Sequence, residues 1–245
     1  MSSLKGKRIV IIGGSAGIGL QTAKEAAKRG ARLVIGGRTV ERLKAASEEI
    51  GAAAETHQLD ATTEEGLKAF FARIGTFDHL TVLVPSAPDK ALSAKLGPFL
   101  EMDPVVFDTV FRNRFWSQCW AARYGAPNMS KDGSIVFMSS SQPRKTIPRY
   151  SASCAAAGAI ESLARTLAIE LSPIRVNVIA PGFIETRSTS HIPPERRAAW
   201  EKLANAQPVK RLGDPQEIAE GMLFLMENGF TTGAILDIDG GYRFT

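Results

Sequence analysis

The stretch Arg8-Ile9-Val10-Ile11-Ile12-Gly13-Gly14-Ser15-Ala16-Gly17-Ile18-Gly19 decides how the rest of the chain is read. Five residues rich in β-branched side chains, closed by a glycine pair, predict a buried strand. Ile18, Ala23, Ala26 and Ala27 then recur at helical spacing as far as Gly30. That predicts a helix ended by a residue able to take positive φ. Strand, glycine turn and helix in this order bring free backbone N–H groups and the positive end of a helix dipole to one point, where an anion is stabilised.

Working outward, β-branched runs and helical periods keep alternating. Strands are expected at 31–35, 53–59, 80–84, 134–138, 175–180 and 234–237, and helices at 39–50, 63–73, 104–124, 150–171 and 214–227. Such alternation builds a parallel sheet with helices on both faces, so the fold class is α/β, a doubly wound sheet of about seven strands. The 245 residues show no linker, repeat or low-complexity tract, and a single domain over 1–245 is expected. The longest irregular stretches, 85–103 and 183–213, read as binding loops or surface excursions.

Composition removes several function classes. The net charge of +5 is dispersed with no basic run, so a nucleic-acid stripe is not expected. Ile9 to Ile12 is too short for a secretory signal or a membrane span, and a soluble, cytoplasmic chain is expected. Cys119 and Cys154 and the scattered His57, His79 and His191 have no metal-ligand spacing. No metal site is expected, and a reducing compartment fits.

The glycine turn sits where a dinucleotide pyrophosphate rests on a helix N-terminus. The second strand ends Gly36-Gly37-Arg38-Thr39, roughly twenty residues on, where a carboxylate would grip the ribose 2′-hydroxyl of NAD. Arg38 offers a guanidinium instead, which pairs with a 2′-phosphate and argues for NADP(H). A solvated arginine at a helix start is the plainer reading. Asp60, after the third strand, is either an acceptor for the adenine amino group or a helix cap.

Further along, Ser139 and Ser140 close the fifth expected strand, Tyr150 opens a helix, and Ala180-Pro181-Gly182 closes the sixth strand. With the glycine turn, Asn113, Asn177, the run Lys210-Arg211-Leu212-Gly213-Asp214-Pro215 and the terminal Asp239-Gly240-Gly241, the chain resembles a short-chain dehydrogenase/reductase of the single-domain, Rossmann type. The resemblance runs its full length. It implies hydride transfer between NADP(H) and a small-molecule carbonyl, imine or enone, with Tyr150 as proton donor, Ser139 bonded to the substrate oxygen and Asn113 anchoring a relay water. It implies a cofactor contact set of Gly13, Ser15, Ala16, Gly17, Ile18, Gly19, Arg38, Thr39, Asp60, Ala61, Pro181, Gly182, Ile184 and Thr186. It also implies a homodimer or homotetramer.

Three departures stand out. The family carries Tyr-x-x-x-Lys, whereas Tyr150-Ser151-Ala152-Ser153-Cys154 puts cysteine at the lysine position, which implies an atypical tetrad biased toward reduction. The exit of the fourth strand, Pro85-Ser86-Ala87-Pro88, replaces Asn-Asn-Ala-Gly and stiffens that turn. The Ser139–Tyr150 segment spans eleven positions, short for the family, and carries Arg144, Lys145 and Arg149. These cations replace the lysine electrostatically, hold an anionic substrate, or are solvated loop charges. Phe183 and Trp200 are read as pocket walls or as anchors of their loop. The competing functional reading is an NADP-binding sensor or scaffold that has lost turnover.

Overall fold

The computed structural model describes residues 3–51, 54–85, 97–186 and 194–245. Seven strands form one sheet: β1 (Arg8–Ile12), β2 (Arg32–Gly37), β3 (Ala54–Gln58), β4 (Phe77–Val82), β5 (Met129–Met138), β6 (Arg175–Pro181) and β7 (Ile235–Ile238). All pairings are parallel, in the order β3-β2-β1-β4-β5-β6-β7. Between β1 and β4 the winding reverses, and the crevice that opens at their C-terminal ends is the place where such sheets bind ligands.

Alternate residues of the buried strands feed two cores, as period-two geometry requires. Ile9, Ile11, Leu33, Ile35, Val136 and Ile179 pack under α1 (Gly17–Lys28), α2 (Val40–Ile50) and α8 (Pro215–Glu227). Val10, Ile12, Val34, Leu80, Val82, Ile135 and Phe137 pack on the other face under α3 (Glu64–Phe71), α5 (Ser117–Gly125) and α6 (Ser151–Glu170).

The expected helix over 104–124 is present with a change inside it. α4 (Pro104–Phe111) runs into a wider π turn, Arg112–Trp116, before α5. Such bulges re-aim side chains and are frequent at functional sites. Two expectations need correction. β4 begins at Phe77 and β5 at Met129, each earlier than its apolar run, because Phe77 and Met129 pair with each other ahead of a register shift that precedes His79–Ser134. The stretch 183–213 is not irregular throughout: α7 (Pro194–Ala206) lies in it, made of strong helix formers with an i,i+4 Arg197–Glu201 pair.

Candidate active site

At the nucleotide end, Gly13 holds φ +86°, and a Cβ there would stand 2.5 Å from the Leu83 carbonyl oxygen. A Cβ on Gly19 would stand 2.3 Å from the Gly13 carbonyl oxygen. Only glycine fits either place. The N-cap of α1 is Ala16, with no side-chain cap, so the first N–H groups of the helix are left for a ligand. This cradle has the shape and polarity for a pyrophosphate, with Gly13, Ser15, Ala16, Gly17, Ile18 and Gly19 around it.

Ser15 Oγ lies against Gly37 at the end of β2. Beside it, Arg38 is exposed, and its guanidinium forms no ion pair among the described residues. Its carbonyl accepts from Gln58 Nε2 at 3.2 Å. Thr39 caps α2 through its backbone alone. Asp60 Oδ1 accepts from Thr62 N at 2.9 Å and Thr62 Oγ1 at 2.7 Å, so it shapes a turn, and the Ala61 methyl is buried in the core.

Pro181 ends β6, and Gly182 packs on the Asp239 backbone. Ile184 pairs with Gly213, and the Thr186 side chain lies within 4 Å of where a Cβ on Gly17 would stand. The segment after β6 therefore returns to the glycine turn. Phe183 rings Trp200 at 5.4 Å and Tyr242 at 5.0 Å, which anchors α7 to the C-terminal turn.

At the other end of the crevice, the structure does not bring Ser139 and Tyr150 into contact by hydrogen bond. Ser139 is buried at the end of β5, and its Oγ donates to Glu161 Oε1 at 2.7 Å, with a second, longer approach to the Ala157 carbonyl. Tyr150, at the N-terminus of α6, packs against the cluster of Met102, Val106, Val110, Ala152 and Ala156. Ser153, Ala157 and Glu161 recur every fourth residue on the stripe that meets Ser139. Cys154 is half-buried with Sγ 3.5 Å from the Gln142 carbonyl. Asn113 is buried in the π turn. Ser86, Ala87, Pro88 and His191 lie outside the described residues.

Two of the loop cations have partners that set their roles. Arg144 Nη1 meets both oxygens of Glu161 at 2.9 Å, its Nε lies 2.6 Å from Asp237 Oδ1, and its Nη2 donates to the Ser140 carbonyl. Arg243 meets the other Asp237 oxygen at 2.7 Å. Burial raises the Asp237 carboxyl above its usual range, against the pull of both arginines. Lys145 donates to Thr245 Oγ1 at 2.8 Å and lies over the Tyr242 ring. Arg144 and Lys145 therefore brace the loop against β7 and the C-terminal turn.

The sequence reading missed two residues. Glu161 is a buried acid whose signal was a charge on the small-residue face of α6. Arg114 follows Asn113 in the π turn and lines a cavity of about 150 Å³ with Val82, Leu83, Val84, Pro85, Gln118 and Met138. Its Nη2 donates to the Ser139 carbonyl at 2.7 Å, and burial lowers its pKa to about 10. The signal for it was a cation inside an otherwise apolar helix period.

With this geometry in hand, comparison with known proteins is direct. A family model described as enoyl-(acyl carrier protein) reductase matches residues 13–243. The chain is 33% identical to galactitol 2-dehydrogenase (L-tagatose-forming) of Cereibacter sphaeroides, over 98% of this chain and 96% of the other. Among solved structures, a small-chain dehydrogenase in complex with NADPH superposes with TM-score 0.80 at 27% identity, covering 98% of this chain and 100% of that one. An NADPH-bound short-chain oxidoreductase from Pseudomonas aeruginosa PAO1, described as containing an atypical catalytic center, superposes with TM-score 0.85 at 27% identity, covering 98% of each. On the sheet order, the glycine cradle and these matches, the chain belongs to the short-chain dehydrogenase/reductase family of oxidoreductases.

Proposed function

We propose that the protein is an NADPH-dependent reductase of a small carbonyl-type substrate. The observation that carries this reading is the uncapped glycine cradle at the start of α1 with the exposed, unpaired Arg38 beside Ser15. The cradle residues would hold the pyrophosphate, and Arg38 would pair with the 2′-phosphate. NADPH bound in two structural relatives supports the same choice. When bound, this cofactor would supply a hydride, a proton with two electrons, to the substrate carbon while the C=O π pair moves onto oxygen.

In this reading the chain orients the substrate and delivers the proton. Tyr150, at the N-terminus of α6 and with its phenol in no hydrogen bond among the described residues, would serve as donor to the alkoxide. Ser139 acts through position, its carbonyl holding Arg114 and its hydroxyl held by Glu161. Cysteine at 154 in place of an ammonium leaves the tyrosine a poor base, so reduction is favoured over alcohol oxidation. The exposed Trp116 and its stack on Trp120 offer a face for a second copy of the chain.

The test is a fluorescence titration with NADPH and NADH in parallel, followed by NADPH consumption on ketones, imines and enones with Tyr150→Phe as control. Selective NADPH binding is expected, and binding of neither nucleotide overturns the reading. The engagement of Ser139 by Glu161 favours, as second reading, a cofactor-binding protein without turnover. NADPH binding without consumption on any of these substrates would select it.

A further inference from the structure

We propose, resting on the reductase reading above, that the cavity beside Arg114 is an oxyanion site and that the Arg114 guanidinium holds the substrate oxygen as negative charge builds on it. The cavity opens at the C-terminal ends of β4 and β5, and Leu83 forms part of its wall while its carbonyl packs on Gly13. It therefore shares a wall with the nucleotide turn.

The guanidinium is held in place without being neutralised. Nη2 is tied to the Ser139 carbonyl, and no carboxylate reaches the side chain among the described residues. The wall behind it is fixed. Gln118 donates to the carbonyls of Arg114 and Met138 and accepts from Met138 N at 2.7 Å, so helix and strand move together. Neighbouring cations are already matched, Arg144 with Glu161 and Asp237, Arg243 with Asp237. A poorly solvated cation without a counter-charge is costly, and an arriving oxyanion offsets that cost.

The chemistry needs such a group. As hydride forms the new C–H bond, the C=O π electrons move to oxygen, and a preorganised donor in a site shielded from water stabilises them strongly. Arg114 keeps its proton throughout, because a pKa near 10 leaves it charged at neutral pH. The alkoxide then takes a proton from Tyr150 or water. The positive charge of the site thus comes from the π turn between α4 and α5, where Cys154 on α6 cannot supply it.

The experiment compares wild type, Arg114→Lys and Arg114→Gln, with thermal melts to confirm folding. Trifluoroacetate is titrated by fluorine NMR, without nucleotide and with NADP⁺. Saturable binding is expected in wild type, retained in Arg114→Lys and weaker by about tenfold or more in Arg114→Gln. NADPH consumption is then followed with the neutral diketone diacetyl and with pyruvate. Arg114→Gln is expected to lose about 100- to 1000-fold in kcat on diacetyl with little change in KM. Trifluoroacetate binding that is absent in wild type or unmoved in Arg114→Gln overturns the proposal. So does a rise in KM confined to pyruvate, which assigns the guanidinium to a permanent carboxylate. Should Arg114→Gln fail to fold, Arg114→Met takes its place, and unmoved trifluoroacetate binding in that folded variant overturns it as well. A wild type that binds trifluoroacetate but no NADPH removes the reductase reading and the oxyanion role with it, a result distinct from failure of the anion site.

Discussion

Ser139 Oγ and Glu161 Oε1 stand 2.7 Å apart in the buried junction of β5 and α6, and the same carboxylate carries Arg144. The two substitutions at this junction have different costs. Ser139→Ala removes one hydrogen bond from a carboxylate that keeps its arginine, about 1–2 kcal/mol. Glu161→Gln leaves the Arg144 charge with Asp237 as its one carboxylate partner, shared with Arg243, about 3–5 kcal/mol. Urea unfolding of the two variants measures the order, and equal losses would show that Arg144 does not depend on Glu161.

Arg38→Ala is expected to weaken NADPH binding by about 10- to 100-fold while leaving NADH binding within a few-fold, since one charge-assisted contact to the 2′-phosphate is worth about 1.5–3 kcal/mol. Because the side chain is exposed and unpaired, the melting temperature should not move. Parallel weakening of both nucleotides would remove Arg38 from the 2′-phosphate.

Gly13→Ala meets two obstacles at once, a left-handed backbone and the Leu83 carbonyl oxygen 2.5 Å from the new methyl. The conformation alone costs about 1–2 kcal/mol. Expected are a loss of stability above that figure and a loss of nucleotide binding, because the turn must shift away from β4. A variant as stable as wild type by calorimetry would mean that the turn relaxes freely.

His79 gives a pH signature. It is buried with Nδ1 2.9 Å from Ser134 Oγ, and burial pushes its pKa from 6.5 down to about 4, with Asp78 opposing and Arg175 adding to the shift. The unfolded chain takes up this proton first. The stability it contributes is whole above about pH 6.5 and drains as pH falls toward about 4, by about 3 kcal/mol in all. Urea midpoints from pH 7 to 4 should fall more steeply for wild type than for His79→Gln.

The sheet was legible because each strand is a short β-branched run between helical periods, as at Arg8–Ile12 and Arg175–Pro181. The early starts of β4 and β5 were hidden, since Phe77 pairs with Met129 ahead of a register shift, a long-range pairing that local composition does not record. The glycine cradle was readable for the opposite reason, its geometry being local. The reaction end depends on which face of α6 meets β5. A single residue of rotation changes whether Tyr150, Ser153 or Cys154 looks at Ser139, and the spacing of eleven positions was the only hint. Arg114 was obscured by its neighbour Asn113, because the π turn that aims both side chains has no signature in composition.

The ties from Arg144 through Asp237 to Arg243, and from Lys145 to Thr245, couple the loop after β5 to residues a hundred positions away. That loop is therefore held by residues remote from it in sequence. Trimming residues 242–245 would remove the Lys145–Thr245 and Arg243–Asp237 ties and the Tyr242 ring beside Phe183, leaving Arg144 on Glu161 and Asp237 as the remaining hold on the loop. For anyone producing the protein, an affinity handle placed beside residues 242–245 would press on the contacts that hold this loop to β7.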